Sequence, residues 1–166
     1  MGFLSNQGSA MAVSVTLAKY LLDHKVPYDV VKHSHTENAL ASAATSGLRP
    51  EQVVKAVVLK DSDGFTLALL PASRQIQFDR LRTVAGKYLD IANEEQVETL
   101  FPDCEPGSVP ALGAAYGLNV IVEDSLTDQP ELYLEAGDHA ILLHISGTNF
   151  NKLIKGYRRG QFAARY

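Results

Sequence analysis

The chain has 166 residues, 46% of them hydrophobic and 20% charged, with a formal net charge of −4. That length suits one domain able to bury well over half of its unfolded surface, and no apolar run approaches the roughly 20 residues a membrane span needs. A net acidic chain does not coat nucleic acid by charge alone. A lone cysteine, Cys104, cannot close an internal disulfide, which points to a reducing, cytoplasmic setting.

Residues 1–10 precede a second methionine and read as a disordered start or an expression scar, so the fold is sought from residue 11 onward. Val15, Ala18, Leu21 and Leu22 recur at helical spacing behind Ser14 or Thr16 as cap, which predicts a helix over 14–24. Tyr28 to His33 alternates like a half-buried strand. Thr36 is a candidate cap for a small-residue helix, Glu37 to Ser46, that stops at Gly47.

Val53 to Leu59 is an apolar run with one charge, Lys55, inside it. Alternation puts Lys55 on one face with Val53, Val57 and Leu59, and puts Val54, Ala56 and Val58 on the other, so the run reads as a central strand. Asp61-Ser62-Asp63-Gly64 then turns it into a second strand, Phe65 to Leu70, completing a β-hairpin. Asp79 and Asn93 are candidate caps for two helices, the first carrying Leu81 and Val84, the second Val97, Leu100 and Phe101. After a loop rich in Gly and Pro, Cys104 to Gly113, three more strands are expected at 119–123, 131–135 and 140–146, and a closing helix at 149–155.

Charge is unevenly placed along the chain. Lys152, Lys155, Arg158, Arg159 and Arg165 stand without an acid among them, leaving 10 basic against 19 acidic groups before them. Residues 157–166 therefore read as a basic tail, either solvated and frayed or facing a polyanion, after a domain spanning 11–156.

The sequence has no glycine-rich phosphate loop of the usual kind, no paired-cysteine motif and no nucleophile elbow, so most common enzyme classes lose support. Three features remain: Lys55, the Gly107 to Gly113 loop, and the segment Glu135-Ala136-Gly137-Asp138-His139 at a turn between two strands. Lys55 is either a functional ammonium among valines or a strand-end lysine whose stem lies on apolar surface, since an unpaired buried ammonium is costly. The Gly107-Ser108-Val109-Pro110 loop is either a plain turn or a row of backbone donors for an oxyanion. His33, His35 and His139, with Asp138, are a weak candidate metal set, and Cys104 has no cationic activator beside it.

The sequence resembles the YbaK/ProX-type aminoacyl-tRNA deacylases, relatives of the editing domain of bacterial prolyl-tRNA synthetases. The resemblance runs from about Val26 to Lys155 and rests on the order and spacing of Val53 to Leu59, Phe101 to Pro110 and Glu135-Ala136-Gly137-Asp138-His139. It implies a single compact α+β domain with a mixed, curved, barrel-like sheet flanked by helices. It also implies hydrolysis of the ester on a mischarged tRNA, acting in trans, without cofactor or metal, and with that tRNA or an aminoacyl-tRNA synthetase as partner. Lys55 takes the position of the family's key lysine, and Gly107, Ser108, Val109 and Pro110 that of the loop that binds the aminoacyl ester. His139 and Asp138 fall at the pocket rim and His33 and His35 near its entrance. The chain departs from the family at Ala111, where many relatives carry the proline that here is Pro110.

Two other classes remain open from the residues alone. One is a non-catalytic module of the same fold that binds an amino acid or tRNA. The other is a metal-dependent hydrolase built on His33, His35 and His139. A contact of Lys152, Lys155, Arg158 and Arg159 with the tRNA backbone belongs with the deacylase reading.

Overall fold

The computed structural model describes residues 13–166, so the reading of residues 1–10 lies outside the described residues. Helix α1 (Val15–Asp23) is capped by the Ser14 hydroxyl, which accepts from the Leu17 N–H, and it buries Leu17 and Leu21. Strand β1 (Asp29–Lys32) follows, then α2 (Ala39–Ser46). Asn38, rather than the expected Thr36, caps α2 by accepting from Ala41 N–H, and Gly47 ends it in the left-handed region at φ 70°. Thr36 instead places its hydroxyl on Ser42.

The Lys55 run is a long central strand, β2 (Val53–Asp61), paired antiparallel with β3 (Gly64–Pro71) as the turn chemistry predicts. Its alternation divides the interior. Val54 and Val58 join the main core with Leu17, Leu132 and Phe150, whereas Leu59 enters a second cluster with Leu81 and Phe162. Val53 enters a third with Ala39 and Ala43 of α2.

Strands β4 (Arg74–Ile76) and β5 (Asp90–Ile91) have no counterpart in the sequence reading, being three and two residues long and too short for periodicity to register. Helix α3 (Phe78–Ala85) begins one residue before the predicted cap, so Asp79 lies inside its first turn. There it complements the helix dipole while Gln77 occupies the capping position without a side-chain bond. Helix α4 (Glu94–Leu100) is opened by a reciprocal Asn93 and Gln96 capping box. Strands β6 (Asn119–Glu123), β7 (Glu131–Glu135) and β8 (Ile141–Ser146) then lead to α5 (Gly147–Leu153), which starts two residues earlier than expected because the Ser146 hydroxyl caps it.

The basic end of the chain is part of the folded body. Residues 158–160 form β9, parallel to β6, and residues 163–165 form β10, antiparallel to β4. What secures them is one buried carboxylate. Glu123 accepts the Phe162 N–H at 2.7 Å and faces Arg74 at 3.7 Å, while the Phe162 ring is fully buried. The arginines of this segment still point outward, so its charge pattern resembles that of a tail although its backbone is in the sheets. The fold is a mixed sheet ordered β1-β8-β7-β2-β3-β6-β9, with β5 on β2 and the β4–β10 pair separate. Among the described residues no helix is long and apolar enough to cross a membrane.

Candidate functional site

Strands β2 and β7 run parallel, with Val53 opposite Tyr133 and Val54 opposite Leu134. Each strand continues by one residue, to Lys55 and to Glu135, which lie on the face away from the main core and line one cleft. Here β7 ends and the chain turns through Ala136-Gly137-Asp138-His139, while the glycine loop crosses in front. A cleft of about 190 Å³ opens between them, lined by Lys55, Ala56, Gly107, Ser108, Val109, Glu135 and His139, with residues 37–39 on the α2 side.

Lys55 is half-buried, so the cost of an isolated buried ammonium does not arise. Its Nζ donates to the Tyr166 hydroxyl at 2.6 Å and lies 4.8 Å from the centre of that ring, a cation–π contact. Tyr166 reaches it because β10 carries the chain back beside β4. Nothing local in the sequence connects two residues 111 positions apart, which is why Tyr166 escaped the sequence reading.

The glycine loop is shaped by three bonds. Gly107 has φ 82°, a conformation other residues enter only with strain. The His139 Nε2 lies 2.8 Å from the Pro106 carbonyl, and its own backbone N–H donates to Glu105 Oε1 at 3.0 Å, so the histidine clamps the loop from behind. The Ala111 N–H donates to the Glu135 carbonyl at 2.9 Å, tying the loop's far end to β7. A proline at position 111 would lack this donor, which gives the Ala111 departure a structural role in holding the loop.

Within the loop the Ser108 N–H is taken by the Glu105 carbonyl at 2.9 Å. Among the described residues the N–H groups of Gly107 and Val109 have no protein acceptor, and the buried Ser108 hydroxyl has no partner. Two backbone donors, rather than the three expected, therefore lack a protein acceptor, while the Ser108 hydroxyl is enclosed without a partner. Pro110 is buried behind them.

Other predicted residues sit elsewhere. Asp138 is buried and its Oδ1 accepts the Ala140 N–H at 2.7 Å, so it stabilises the turn rather than lining the cleft. Its carboxyl is pushed above the usual range, first by burial and then by the Glu105 charge. His35 stands on the rim, 5.1 Å from the His139 ring and 3.3 Å from both Glu37 and Glu105. His33 turns its Nδ1 to the Ser34 carbonyl. Among the described residues no three His, Cys, Asp or Glu side chains are grouped to hold a metal ion, so the set of His33, His35 and His139 is not assembled. Cys104 faces Tyr116 and Asp103, and burial lifts its thiol to about 11, which leaves it protonated and a poor nucleophile at neutral pH.

The sequence reading named Glu135 in a motif but gave it no part in the site. Burial raises its carboxyl to about 7, opposed by the nearby His139 and by the Ser42 hydroxyl. The signal that would have found it is the alternation of β7, which turns Leu132 and Leu134 to the core and Glu135 to the Lys55 face. An acid raised from an unfolded value near 4.5 binds more protons folded than unfolded between pH 4.5 and 7. Stability is therefore expected to fall as pH rises through that window, by about 1–3 kcal/mol. Chemical denaturation at pH 5 and pH 8 checks this, and Glu135→Gln should flatten the difference.

Against proteins of known family, residues 33–153 match the aminoacyl-tRNA editing domain model. The chain belongs to that family. A proline–tRNA ligase of Thermosipho africanus is 30% identical over 90 residues, a match that takes in 45% of this chain and 16% of the ligase, so the chain corresponds to a small part of that enzyme. A solved structure described as a candidate trans-editing enzyme for prolyl tRNA synthetase superposes with a TM-score of 0.75 at 21% identity, covering 92% of this chain and 99% of the other. A hypothetical protein superposes with a TM-score of 0.78 at 17% identity, covering 90% and 99%. At these identities the two structures establish a shared fold.

Proposed function

We propose that this editing-domain protein is a trans-acting deacylase that hydrolyses the ester between a wrong amino acid and the terminal ribose of a tRNA. The observation that carries the reading is the meeting, in one cleft, of a half-buried lysine with two unengaged backbone donors on a clamped glycine loop. An ester needs less activation than an amide, and its barrier lies in positioning water and stabilising the oxygen that gains charge. Water attacks the carbonyl carbon, the oxyanion forms against the Gly107 and Val109 N–H groups, and the C–O bond to ribose breaks. The ribose hydroxyl recovers a proton and the amino acid leaves as its carboxylate. Lys55 supplies a fixed positive charge to the terminal phosphate or the developing oxyanion.

No side-chain nucleophile is required, in keeping with the protonated Cys104. At about 190 Å³ the cleft suits a small acyl group better than a bulky one. The test is a panel of tRNAs mischarged with alanine, serine, cysteine and proline, followed for amino-acid release with and without a chelator. Release from at least one tRNA, undiminished by chelation, is expected. Release from none would leave the binding-module reading, and loss on chelation would restore the metal hydrolase.

Lys152, Lys155, Arg158 and Arg159 are exposed, and we assign them to the tRNA backbone. Deleting residues 157–166 would remove Phe162 from the core, so charge reversal is the appropriate probe. Lys155→Glu with Arg159→Glu should weaken tRNA binding at low salt and reduce the slope of log affinity against log salt by about 2. An unchanged slope would take the tRNA path off this surface.

A further inference from the structure

The cleft is lined by one lysine, Lys55, and two carboxylates, Glu135 and Glu37, and among the described residues Lys55 is paired with neither, its Nζ donating to Tyr166. Every other carboxylate near it is accounted for. Glu105 accepts the His139 N–H and faces His35, and Asp138 accepts the Ala140 N–H. Of the two carboxylates that line the cleft, Glu37 is exposed and faces His35, whereas Glu135 is half-buried with the Ser42 hydroxyl beside it, and no N–H group donates to it among the described residues. The end of an aminoacyl-tRNA carries the matching pair of charges, an α-ammonium on one side of the ester and a phosphodiester on the other.

Resting on the editing reading, we propose that Glu135 is a specificity residue that binds the α-ammonium group of the aminoacyl ester. It would thereby set the acyl group's orientation across the Gly107 loop, with Lys55 taking the opposite end. The placement follows from chain connections already described. The Glu135 carbonyl holds the Ala111 N–H, so the residue that reads the ammonium also anchors the loop that faces the carbonyl. The groups facing Glu135 are Lys55 from β2, Ser42 from α2 with Glu37 before that helix, and His139 from the turn after β7.

The protonation of the site is consistent with this role. Burial holds the Glu135 carboxyl at about 7, so an arriving ammonium favours the ionised form, and binding releases a proton near neutrality. Since an α-amino group titrates near 8, recognition is expected to be strongest between about pH 7 and 8, where carboxylate and ammonium coexist.

The test uses non-hydrolysable 3′-aminoacylamino-3′-deoxyadenosines of alanine, serine and proline, each beside a counterpart in which oxygen replaces the α-nitrogen. Binding to the full chain is measured at pH 5.5 and 7.5. The wild type should prefer the nitrogen compound by about 10-fold or more at pH 7.5, the range for a hydrogen bond to a charged group, and by much less at pH 5.5. Glu135→Gln should lose that preference while retaining affinity for the oxygen compound, which also shows that the variant is folded. The wild-type pH comparison stands by itself if the variant does not fold. Equal wild-type binding of the two compounds at pH 7.5, or a preference that survives in Glu135→Gln, would overturn the proposal and leave the editing reading intact. Failure of every analogue to bind, with no deacylation of any mischarged tRNA, would remove both.

Discussion

Gly137→Ala is expected to destabilise the protein by about 2–4 kcal/mol and to lower any deacylation in parallel. Two independent costs combine. Gly137 has φ 92°, outside the regions that L-residues occupy readily, and holding a side chain in such a conformation costs about 1–3 kcal/mol. A Cβ there would also lie 2.8 Å from the Cys104 sulfur and 3.3 Å from the Ser14 Cβ, close enough to force one of them to move. The movement would reach the cleft, because the Gly137 carbonyl accepts the Glu105 N–H at 2.8 Å and Glu105 in turn holds His139 and starts the turn into Gly107. Urea denaturation measures the loss. The Cys104→Ala second substitution should restore the steric part and leave the conformational part, so the double variant should lie between Gly137→Ala and the wild type. A double variant no more stable than Gly137→Ala would show that the sulfur contact is not part of the cost.

Lys55→Ala is expected to reduce deacylation below about one hundredth of wild type, corresponding to roughly 3 kcal/mol of transition-state stabilisation. Its effect on stability should be small, within about 1 kcal/mol, because the side chain is half-buried and its bonded partner, Tyr166, is exposed and keeps access to water. A large loss of activity with an unchanged fold is the signature of a residue that acts on the substrate, and it distinguishes this variant from Gly137→Ala, where activity and stability fall together. Lys55→Arg keeps the charge but spreads it over a planar fork on a longer side chain, so partial activity would favour phosphate binding as the lysine's main task.

Much of this arrangement was legible in the chain. The alternation around Lys55, the Asp-Ser-Asp-Gly turn after it and the capping signals at Ser14 and Asn93 are local, and each forms as its residue types dictate. What could not be read was long-range pairing. The parallel contact of β2 with β7 that brings Glu135 into the Lys55 cleft, and the return of the chain through β10 that delivers Tyr166, depend on registers between segments about 80 and 90 residues apart. The basic end was misread for a related reason. Its exposed arginines carry the charge pattern of a free tail, and the group that holds it, Glu123, lies in a different strand. Likewise His33 and His35 share a side of an extended segment, yet Nδ1 of His33 is bound to a neighbouring carbonyl while His35 meets Glu105 at the rim.

On the proposed function, one cleft with Lys55 at its edge hydrolyses the aminoacyl ester. Single-turnover hydrolysis of one mischarged tRNA by wild type and by Lys55→Ala, at equal concentration and with matched circular dichroism, tests it most directly. Rapid release of the amino acid by the wild type and about a 100-fold slower release by the variant is the predicted result. Equal rates from the two folded proteins would contradict it.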